Sequence, residues 1–326
     1  MLKYVFVFLV LVPLCLAQGV NFASREIDVS SSHPIQVPPF SYFGESQCDR
    51  DGNMYFHTVD SDFRQGQIFR LSSDGTAGKF FRITGKFADP DSAGFDSFWV
   101  TSDGEVFILS SNAEEKYVFT FDHNGVVKAP AFLNIREDVQ LTDFAVFDNG
   151  FLFVWGYHAQ KSPSDLRGKP YAAVLTESGE LVREVSIPLP TVDLGNLGAP
   201  SDGAVASYAG NLYFLGSDQI TVISAAGQTV RRLKFHKPDP QAVATRLYLS
   251  AGVAVIAINK ISTKVSTRGQ VQRSFIALDQ SSGDLIGYYA PSKQLGSNDV
   301  CFSRADGLTF LESDGKTQKL ATALLR

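Results

Sequence analysis

Five carboxylates recur at comparable places in the chain, seven or eight residues before a glycine that precedes an apolar run. They are Glu45, Asp96, Asp143, Asp202 and Asp299, and Thr245 and Arg246 occupy the same place in one further segment. Converging carboxylates repel one another unless a cation or hydrogen bonds offset their charge, and their oxygens are ligands that Ca²⁺ prefers. Two hypotheses follow. The carboxylates either hold a divalent cation or another ligand, or each one hydrogen-bonds its own connecting segment.

The stretch CDRDGNMYF, residues 48–56, suggests a second kind of metal site, because its acidic and amide residues alternate as the oxygen ligands of a calcium loop do. An EF-hand loop also needs a glycine at position 6 and a glutamate at position 12. Counted from Asp49, Gly52 stands at position 4 and Asp60 at position 12, so the spacing fails. Asp-Gly between apolar runs is typical of a tight hairpin turn, which we predict here.

The turn at Gly52 belongs to a repeat. Six glycines, each followed by a strand-like run, are spaced by 42 to 60 residues: Gly52, Gly104, Gly150, Gly210, Gly252 and Gly307. A second turn glycine follows each of the first five: Gly75, Gly125, Gly179, Gly227 and Gly283. Each unit reads as strand, tight turn, strand, variable loop, strand, tight turn and strand, which is the pattern of a propeller blade. We predict an all-β fold, a six-bladed β-propeller of four-stranded antiparallel blades; the alternative is one β-sandwich or a pair of them.

The two ends of the chain are compatible with a closed ring. The sixth unit is one strand short, and residues 25–29 have no unit of their own, so this N-terminal strand is expected to complete the last blade. Cys48 and Cys301 lie in the innermost strands of the first and sixth units, which are neighbours in such a ring. They form either a disulfide across the closure or two buried free thiols.

The two ends of a propeller disc differ in the length of their connections. The Asp-Gly turns are short, so the end that carries them, here named the turn end, is expected to be structural. The opposite end, here named the long-loop end, carries residues 57–66, 84–95, 156–170, 188–201, 235–243, 258–271 and 289–298. Long loops on a rigid scaffold are where ligands usually bind. His57, His158 and His236 fall in these segments, either as part of a binding site or as solvated side chains.

The N-terminal residues have the pattern of a secretory signal peptide. Lys3 precedes an apolar segment over 4–16, and small residues precede a cleavage site near Gln18. We therefore expect a signal peptide over 1–17, a single propeller domain over 18–326 and a secreted or periplasmic location. No later segment is apolar for long enough to span a membrane. The net charge is −5, and the sequence contains no cluster of Lys and Arg residues. Both observations argue against nucleic acid as a partner.

The blade motif resembles that of the NHL-repeat and gluconolactonase (senescence-marker-protein-like) propellers. It is carried by Asp202-Gly203-Ala204-Val205-Ala206 through Gly210-Asn211-Leu212-Tyr213-Phe214, and by Gly44-Glu45 through Gly52-Asn53-Met54-Tyr55-Phe56. The resemblance implies a six-bladed fold and a divalent metal in the central channel, with Glu45 and Asp202 as ligands and Asp202 active in catalysis. Asp299 is a further candidate ligand. Ser46-Gln47 replace the Gly-Pro that usually follows the glutamate in these families.

The sequence lacks other catalytic signatures, including G-x-S-x-G, HExxH, CxxC, the P-loop and G-x-G-x-x-G. We therefore predict an exported propeller that binds a protein or a small-molecule ligand through its long-loop end. The alternative is a metal-dependent hydrolase of the lactonase or esterase kind. In that hydrolase a divalent cation such as Ca²⁺, held by Glu45, Asp202 and Asp299, polarises the substrate carbonyl while a carboxylate, Asp202, handles the proton.

Overall fold

The chain is built from strands and turns. The computed structural model describes residues 24–27, 29–35, 41–59, 66–76, 78–83, 94–111, 115–159, 168–185, 204–250, 252–261, 271–291, 300–304, 307–313 and 318–324. Within these described residues, no helix has the length and apolar character needed to cross a membrane. The predicted signal peptide over 1–17 lies outside it.

The described residues form twenty-five strands in six sheets. Two strands come from the N-terminal segment: β1 (Ser24–Ile27) and β2 (Val29–Ile35). Sheet 1 contains β3 (Ser41–Cys48), β4 (Met54–Val59), β5 (Gly66–Leu71) and β6 (Gly78–Phe81). Sheet 2 contains β7 (Gly94–Val100), β8 (Val106–Ser111), β9 (Lys116–Phe121) and β10 (Ala131–Phe132). Sheet 3 contains β11 (Val139–Val146), β12 (Leu152–His158), β13 (Pro170–Leu175) and β14 (Leu181–Glu184).

The other three sheets follow in chain order. Sheet 4 contains β15 (Val205–Tyr208), β16 (Asn211–Leu215), β17 (Gln219–Ser224) and β18 (Thr229–Lys234). Sheet 5 contains β19 (Val243–Ser250), β20 (Val253–Ile261), β21 (Val271–Asp279) and β22 (Leu285–Pro291), with β1 at its outer edge. Sheet 6 contains β23 (Val300–Arg304), β24 (Gly307–Ser313) and β25 (Gln318–Leu324), with β2 at its outer edge.

The sheets are arranged around a common centre. The first strand of each sheet contacts the first strand of the next, in the order β3, β7, β11, β15, β19 and β23, and β23 contacts β3. These innermost strands therefore surround a central channel, as in a propeller. The prediction of an all-β propeller with four-stranded antiparallel blades is confirmed.

Five of the sheets match the predicted blade, because each has four antiparallel strands. Sheet 5 differs, since β1 adds to β22 as a fifth strand in parallel orientation, with Ser24 opposite Tyr288 and Ile27 opposite Pro291. The predicted outer strand of the last blade is provided by β2, which pairs antiparallel with β25. The predicted bounds, 25–29, were wrong. Both open edges offer unpaired backbone groups, and the sequence pattern does not distinguish them.

The ring closure also contains a covalent bond. Cys48 of β3 and Cys301 of β23 form a disulfide with a Cα–Cα distance of 5.7 Å. It joins sheet 1 to sheet 6, while the N-terminal segment joins sheet 6 to sheet 5 through β2 and β1. The N-terminal segment and the disulfide together therefore link three consecutive sheets, sheets 5, 6 and 1.

The turn glycines adopt the left-handed conformation that the hairpins require. Ten glycines named in the sequence analysis have φ between +71° and +91°: Gly52, Gly75, Gly104, Gly125, Gly150, Gly179, Gly210, Gly227, Gly252 and Gly283. A side chain at such a φ is strained, which explains why the repeat keeps glycine there. Their turns lie at the turn end.

Aromatic side chains fill the spaces between sheets. Phe153 and Trp155 of β12 contact Phe214 of β16, with ring centroids 5.0 and 5.8 Å apart. Phe81 of β6 and Phe121 of β9 meet edge to face at 6.2 Å. Such pairs bury large apolar areas and stabilise the scaffold that holds the polar residues described below.

Candidate functional site

The innermost strands are irregular where the sequence places the recurring polar residues. The pairing of β3 with β4 skips residues 44–46, and single-residue bulges leave Asp96, Thr142 and Thr245 outside the pairing of β7, β11 and β19. A bulge bends the strand and re-aims a side chain. The register therefore makes Thr142, not Asp143, the counterpart of Asp96.

The predicted metal ligands are only partly within the described residues. Glu45 lies in β3, inside the 44–46 bulge. Asp202 and Asp299 lie outside the described residues, so the convergence of the three carboxylates stays a prediction. Where the structure describes candidate ligands, no group of three or more His, Cys, Asp or Glu side chains could hold a metal ion.

The other hypothesis, that polar residues at these positions bond their own surroundings, fits sheets 3 and 5. The Thr142 hydroxyl donates to the Trp155 carbonyl at 3.3 Å, and the Thr245 hydroxyl donates to the Ala257 carbonyl at 3.4 Å. Asp143 accepts a hydrogen bond of 2.8 Å from the adjacent backbone N–H of Phe144. These contacts serve the hairpins themselves.

Asp96 is in a different environment. It reaches solvent, but surrounding protein atoms raise the pKa of its carboxyl by desolvation, while a hydrogen bond from Ser111 and the charge of Lys116 oppose the shift. A carboxyl of this kind holds its proton to a higher pH than an isolated aspartate does.

A guanidinium from sheet 5 reaches the bulge of β3. Arg246 is 3% exposed, and its Nη2 donates a hydrogen bond to the Ser46 carbonyl. Its guanidinium carbon lies 5.7 Å from the ring centroid of Tyr248. Ser46 is completely buried. A permanently charged group is therefore fixed one residue from Glu45.

Gln47, the next residue of β3, joins sheet 1 to sheet 2. Its Nε2 donates to the Phe98 carbonyl at 2.5 Å, and its Oε1 accepts from the Val100 backbone N–H at 2.8 Å. Ser46 and Gln47 are the residues that depart from the Gly-Pro of the families named above. Of the two departures, Gln47 makes side-chain contacts to the neighbouring sheet that a proline could not make. The contact of residue 46 uses its backbone carbonyl and does not depend on the serine side chain.

We tested whether these residues fit the divalent metal that the resemblance implies. A divalent cation at the 44–46 bulge would lie near the Arg246 guanidinium that bonds the Ser46 carbonyl, and like charges in a partly desolvated site repel by several kcal/mol at distances of about 5 Å. The Ser46 carbonyl, a possible additional oxygen ligand, already accepts the guanidinium N–H. The described residues around Glu45 do not fit a divalent cation.

A second polar cluster lies at the long-loop end of sheet 3. The Nδ1 atom of His158 lies 2.8 Å from Oδ2 of Asp138, and the Arg136 Nε donates to Asp138 Oδ1 at 3.0 Å. His158 is 6% exposed. The Arg136 and His158 hydrogen bonds lower the pKa of the Asp138 carboxyl to about 2, so that it is ionised at neutral pH. An ionised carboxylate favours the ring tautomer that carries its proton on Nδ1.

The backbone holds this cluster at the base of the loop between β12 and β13. The N–H of His158 donates to the Lys169 carbonyl at 3.0 Å, and the N–H of Gly168 donates to the His158 carbonyl at 2.7 Å. The N–H of Ala159 donates to the Asp138 carbonyl at 2.9 Å. These bonds close the neck of the loop and fix the position of His158.

Tyr171 of β13 completes the cluster. Its ring meets the His158 ring edge to face, with centroids 5.8 Å apart. Its hydroxyl is buried and has no hydrogen-bond partner among the residues that the structure describes. Burial, together with the charge of Glu184, raises the pKa of Tyr171 to about 12. A buried hydroxyl donor beside an oriented imidazole is a feature of ligand sites.

The other two predicted histidines are separate from this cluster. His57 lies in β4, not in a loop, and its ring stacks on Phe95 with centroids 3.7 Å apart. Burial lowers the pKa of His57 to about 4, so the ring is neutral at physiological pH. His236 is exposed and follows β18. His158 also ends a strand, because β12 extends further than the sequence pattern indicates.

Carboxylates at the turn end are occupied by their own turns. Asp49 is 5% exposed, and its Oδ1 accepts the N–H groups of Asp51 and Asn53 at 3.0 Å each. Its Oδ2 accepts the Asn53 side-chain amide at 2.7 Å and the Tyr55 hydroxyl at 2.9 Å. The hairpin interpretation of residues 48–56 is therefore confirmed. Asp122 caps its turn in the same way, accepting the N–H groups of Asn124 and Val126.

Sequence reasoning missed Arg136, Asp138 and Tyr171. Asp138 and His158 are twenty residues apart, and they meet because the register places Val139 opposite His158. Alternation of polar and apolar residues shows which side chains share a face of one strand, but it does not give the cross-strand register. Only the exact pairing of β11 with β12 could have identified the cluster.

The chain was compared with known proteins. No protein-family description matches it, and no curated protein matches it. Among solved structures, an exported protein of Bacteroides fragilis described as putative is similar with a TM-score of 0.54 and 9% identity, covering 94% of this chain and 97% of that one. The calcium-binding protein regucalcin from Agrobacterium tumefaciens gives a TM-score of 0.46 and 12% identity, covering 91% and 95%. The propeller domain of the Trilobed protease from Pyrococcus furiosus gives 0.43 and 11%, covering 86% and 82%.

Proposed function

We propose that this protein is an exported, six-bladed propeller that binds a protein or small-molecule ligand at its long-loop end. The observation that carries the proposal is the Arg136–Asp138–His158 cluster with its neighbour Tyr171. A carboxylate held by an arginine orients a nearly buried imidazole at the neck of a loop. With Nδ1 engaged by the carboxylate, the imidazole offers Nε2 to a ligand as an acceptor.

Six blades and export have separate support. The innermost strands of the six sheets contact one another in a closed sequence, which supports counting sheet 5 with its additional strand as one of six blades. The disulfide between Cys48 and Cys301 supports export, because lasting disulfides belong to oxidising compartments. The signal-peptide pattern over 1–17 points in the same direction.

The alternative of a metal-dependent lactonase or esterase has less support. Its chemistry needs a divalent cation in the channel that polarises a carbonyl. Arg246 opposes that cation beside Glu45 through its charge and its hold on the Ser46 carbonyl. Ligand binding is therefore placed at the long-loop end of the disc, and no hydrolysis is assigned to the channel.

The experiment compares two double variants in ligand capture. Arg136→Ala with His158→Ala removes polar groups at the long-loop end. Arg50→Ala with Asp103→Ala is the matched control, because this ion pair of 2.9 Å lies at the turn end with side chains 69% and 66% exposed. Each immobilised protein is exposed to the secreted or periplasmic fraction of the producing cells, and bound proteins and small molecules are identified by mass spectrometry.

We expect the wild type and the turn-end control to retain the same ligand, and the long-loop variant to lose it. Circular dichroism and a thermal melt check that all three proteins are folded. Loss of the ligand from the control alone, or equal retention by all three, would contradict the proposal.

A further inference from the structure

Two strands that are not neighbours in the ring contact each other across the central channel. Arg246 of β19 donates to the Ser46 carbonyl of β3, although β23 lies between these strands in the order of innermost contacts. Each strand is irregular at this point: β19 bulges at Thr245, immediately before Arg246, and β3 bulges over 44–46. The contact therefore depends on both bulges.

The bulge in β3 creates a need for a hydrogen-bond donor. Residues 44–46 are left out of the pairing with β4, and Ser46 is fully buried. A buried carbonyl outside the strand ladder must find another partner, and water is not at hand for a fully buried residue. Arg246 provides this partner, and a charged donor forms a stronger hydrogen bond than a neutral one.

The bulge in β19 lies immediately before the donor. The extra residue, Thr245, turns its hydroxyl back to the Ala257 carbonyl and shifts the register of the strand. Arg246 then lies 5.7 Å from the Tyr248 ring, which favours its cation. Arg246 is 3% exposed, and an arginine side chain remains charged in proteins.

We infer that Arg246 is a built-in cation that takes the place of a divalent metal ion in the channel. It supplies positive charge at the bulge that contains Glu45, and it joins sheet 5 to sheet 1 as a shared metal ion would. The channel of this protein therefore needs no divalent cation for its stability. This inference is independent of ligand binding at the long-loop end.

The test uses the full mature protein, Ca²⁺ as the probe, and two variants of one residue. Arg246→Met removes the charge and the donor while it keeps much of the side-chain volume, and Arg246→Lys keeps the charge. Thermal melts are recorded with millimolar CaCl₂ and with a chelator, and calcium binding to the wild type is measured by isothermal titration calorimetry.

We expect the wild type to bind no calcium and to melt at the same temperature with CaCl₂ and with chelator. Arg246→Met should melt about 5 °C lower because the Ser46 carbonyl loses its donor, and CaCl₂ should recover part of that loss. The melting temperature of Arg246→Lys should fall by less, and it should not change when CaCl₂ is added.

Three outcomes would overturn the inference. The first is stoichiometric calcium binding by the wild type, and the second is an Arg246→Met variant as stable as the wild type. The third is a destabilised Arg246→Met variant that calcium does not stabilise, since the arginine would then be a hydrogen-bond donor only. If Arg246→Met does not fold, the inference is tested by the other two measurements. Calcium binding by the wild type, or stabilisation of Arg246→Lys by calcium, would overturn it.

Discussion

The turn end and the long-loop end of this propeller use the same residue types in opposite ways. At the turn end, Asp49 accepts four hydrogen bonds from residues no more than six positions away. At the long-loop end, Asp138, which immediately precedes β11, bonds His158 of β12, twenty residues away. The first carboxylate fixes the local shape of one turn. The second orients the imidazole of His158 through Nδ1, and we propose that the other ring nitrogen, Nε2, contacts the ligand.

We propose that this difference divides the propeller into a structural end and a ligand-binding end. A short turn needs a carboxylate to satisfy its own backbone N–H groups, and once it has done so the carboxylate has no free capacity. The contact of Asp138 with His158 uses only Nδ1 of the imidazole, so it does not occupy Nε2. A carboxylate with only local partners is therefore a poor candidate for ligand binding.

The largest effect is expected at the turn end, from Asp49→Ala. Removal of this buried carboxylate leaves the Tyr55 hydroxyl and the Asn53 amide without their acceptor, which should lower the free energy of unfolding by about 2–4 kcal/mol. Urea unfolding measures the loss. Asp122→Ala, in an exposed turn of the same kind, is the control and should lose less. Equal losses would show that burial of the carboxylate does not matter.

A smaller effect is expected from His57, which lies near the long-loop end and is half-buried. Its pKa is lowered from 6.5 to about 4, so below pH 6.5 the unfolded chain binds a proton that the folded chain does not. The free energy of unfolding should therefore fall as the pH drops from 6.5 to 4, by on the order of 2 kcal/mol.

The control for this pH dependence is the exposed His236. Urea unfolding at several pH values should show that His57→Gln removes the slope between pH 6.5 and 4, whereas His236→Gln retains it. A slope that survives in His57→Gln would assign the effect to another group. The slope would identify His57 as a packed, neutral residue, in contrast to His158, which we propose contacts the ligand.

The smallest effect on stability, and the most specific in its signature, concerns the tautomer of His158. Because Asp138 Oδ2 lies 2.8 Å from Nδ1, the neutral ring should carry its proton on Nδ1 in the wild type. Long-range ¹H–¹⁵N spectra report the tautomer. Asp138→Ala should shift the proton toward Nε2, and the signals of His236 should not change. An Nε2-protonated ring in the wild type would remove the basis for Nε2 as the ligand-binding atom.

Much of the fold could be predicted because its signals are local. An Asp-Gly or Asn-Gly pair between two apolar runs predicts a hairpin without knowledge of the rest of the chain, and the turn glycines do have positive φ. Repetition of that pattern predicts blades, and the spacing of Cys48 and Cys301 within their units identifies a pair that the structure joins. The placement of β1 was not predictable, because a short strand can join any open edge.

The candidate sites were less predictable because they depend on register. The Arg246–Ser46 contact spans 200 residues and two bulges, and the sequence indicates neither bulge. The family resemblance implies a metal ion at Glu45. Arg246, which bonds the Ser46 carbonyl, and Gln47, which bonds the neighbouring sheet, distinguish this channel from the one that the resemblance implies.

The most direct test of the central claim, that the two ends divide stability from binding, measures unfolding and ligand capture on the same two variants. Asp49→Asn should lower the urea midpoint and still capture the ligand at temperatures where it is folded. Asp138→Asn should keep a midpoint close to the wild type and lose the ligand, because His158 is no longer oriented. The account would be contradicted if Asp138→Asn captured the ligand normally, or if a folded Asp49→Asn did not.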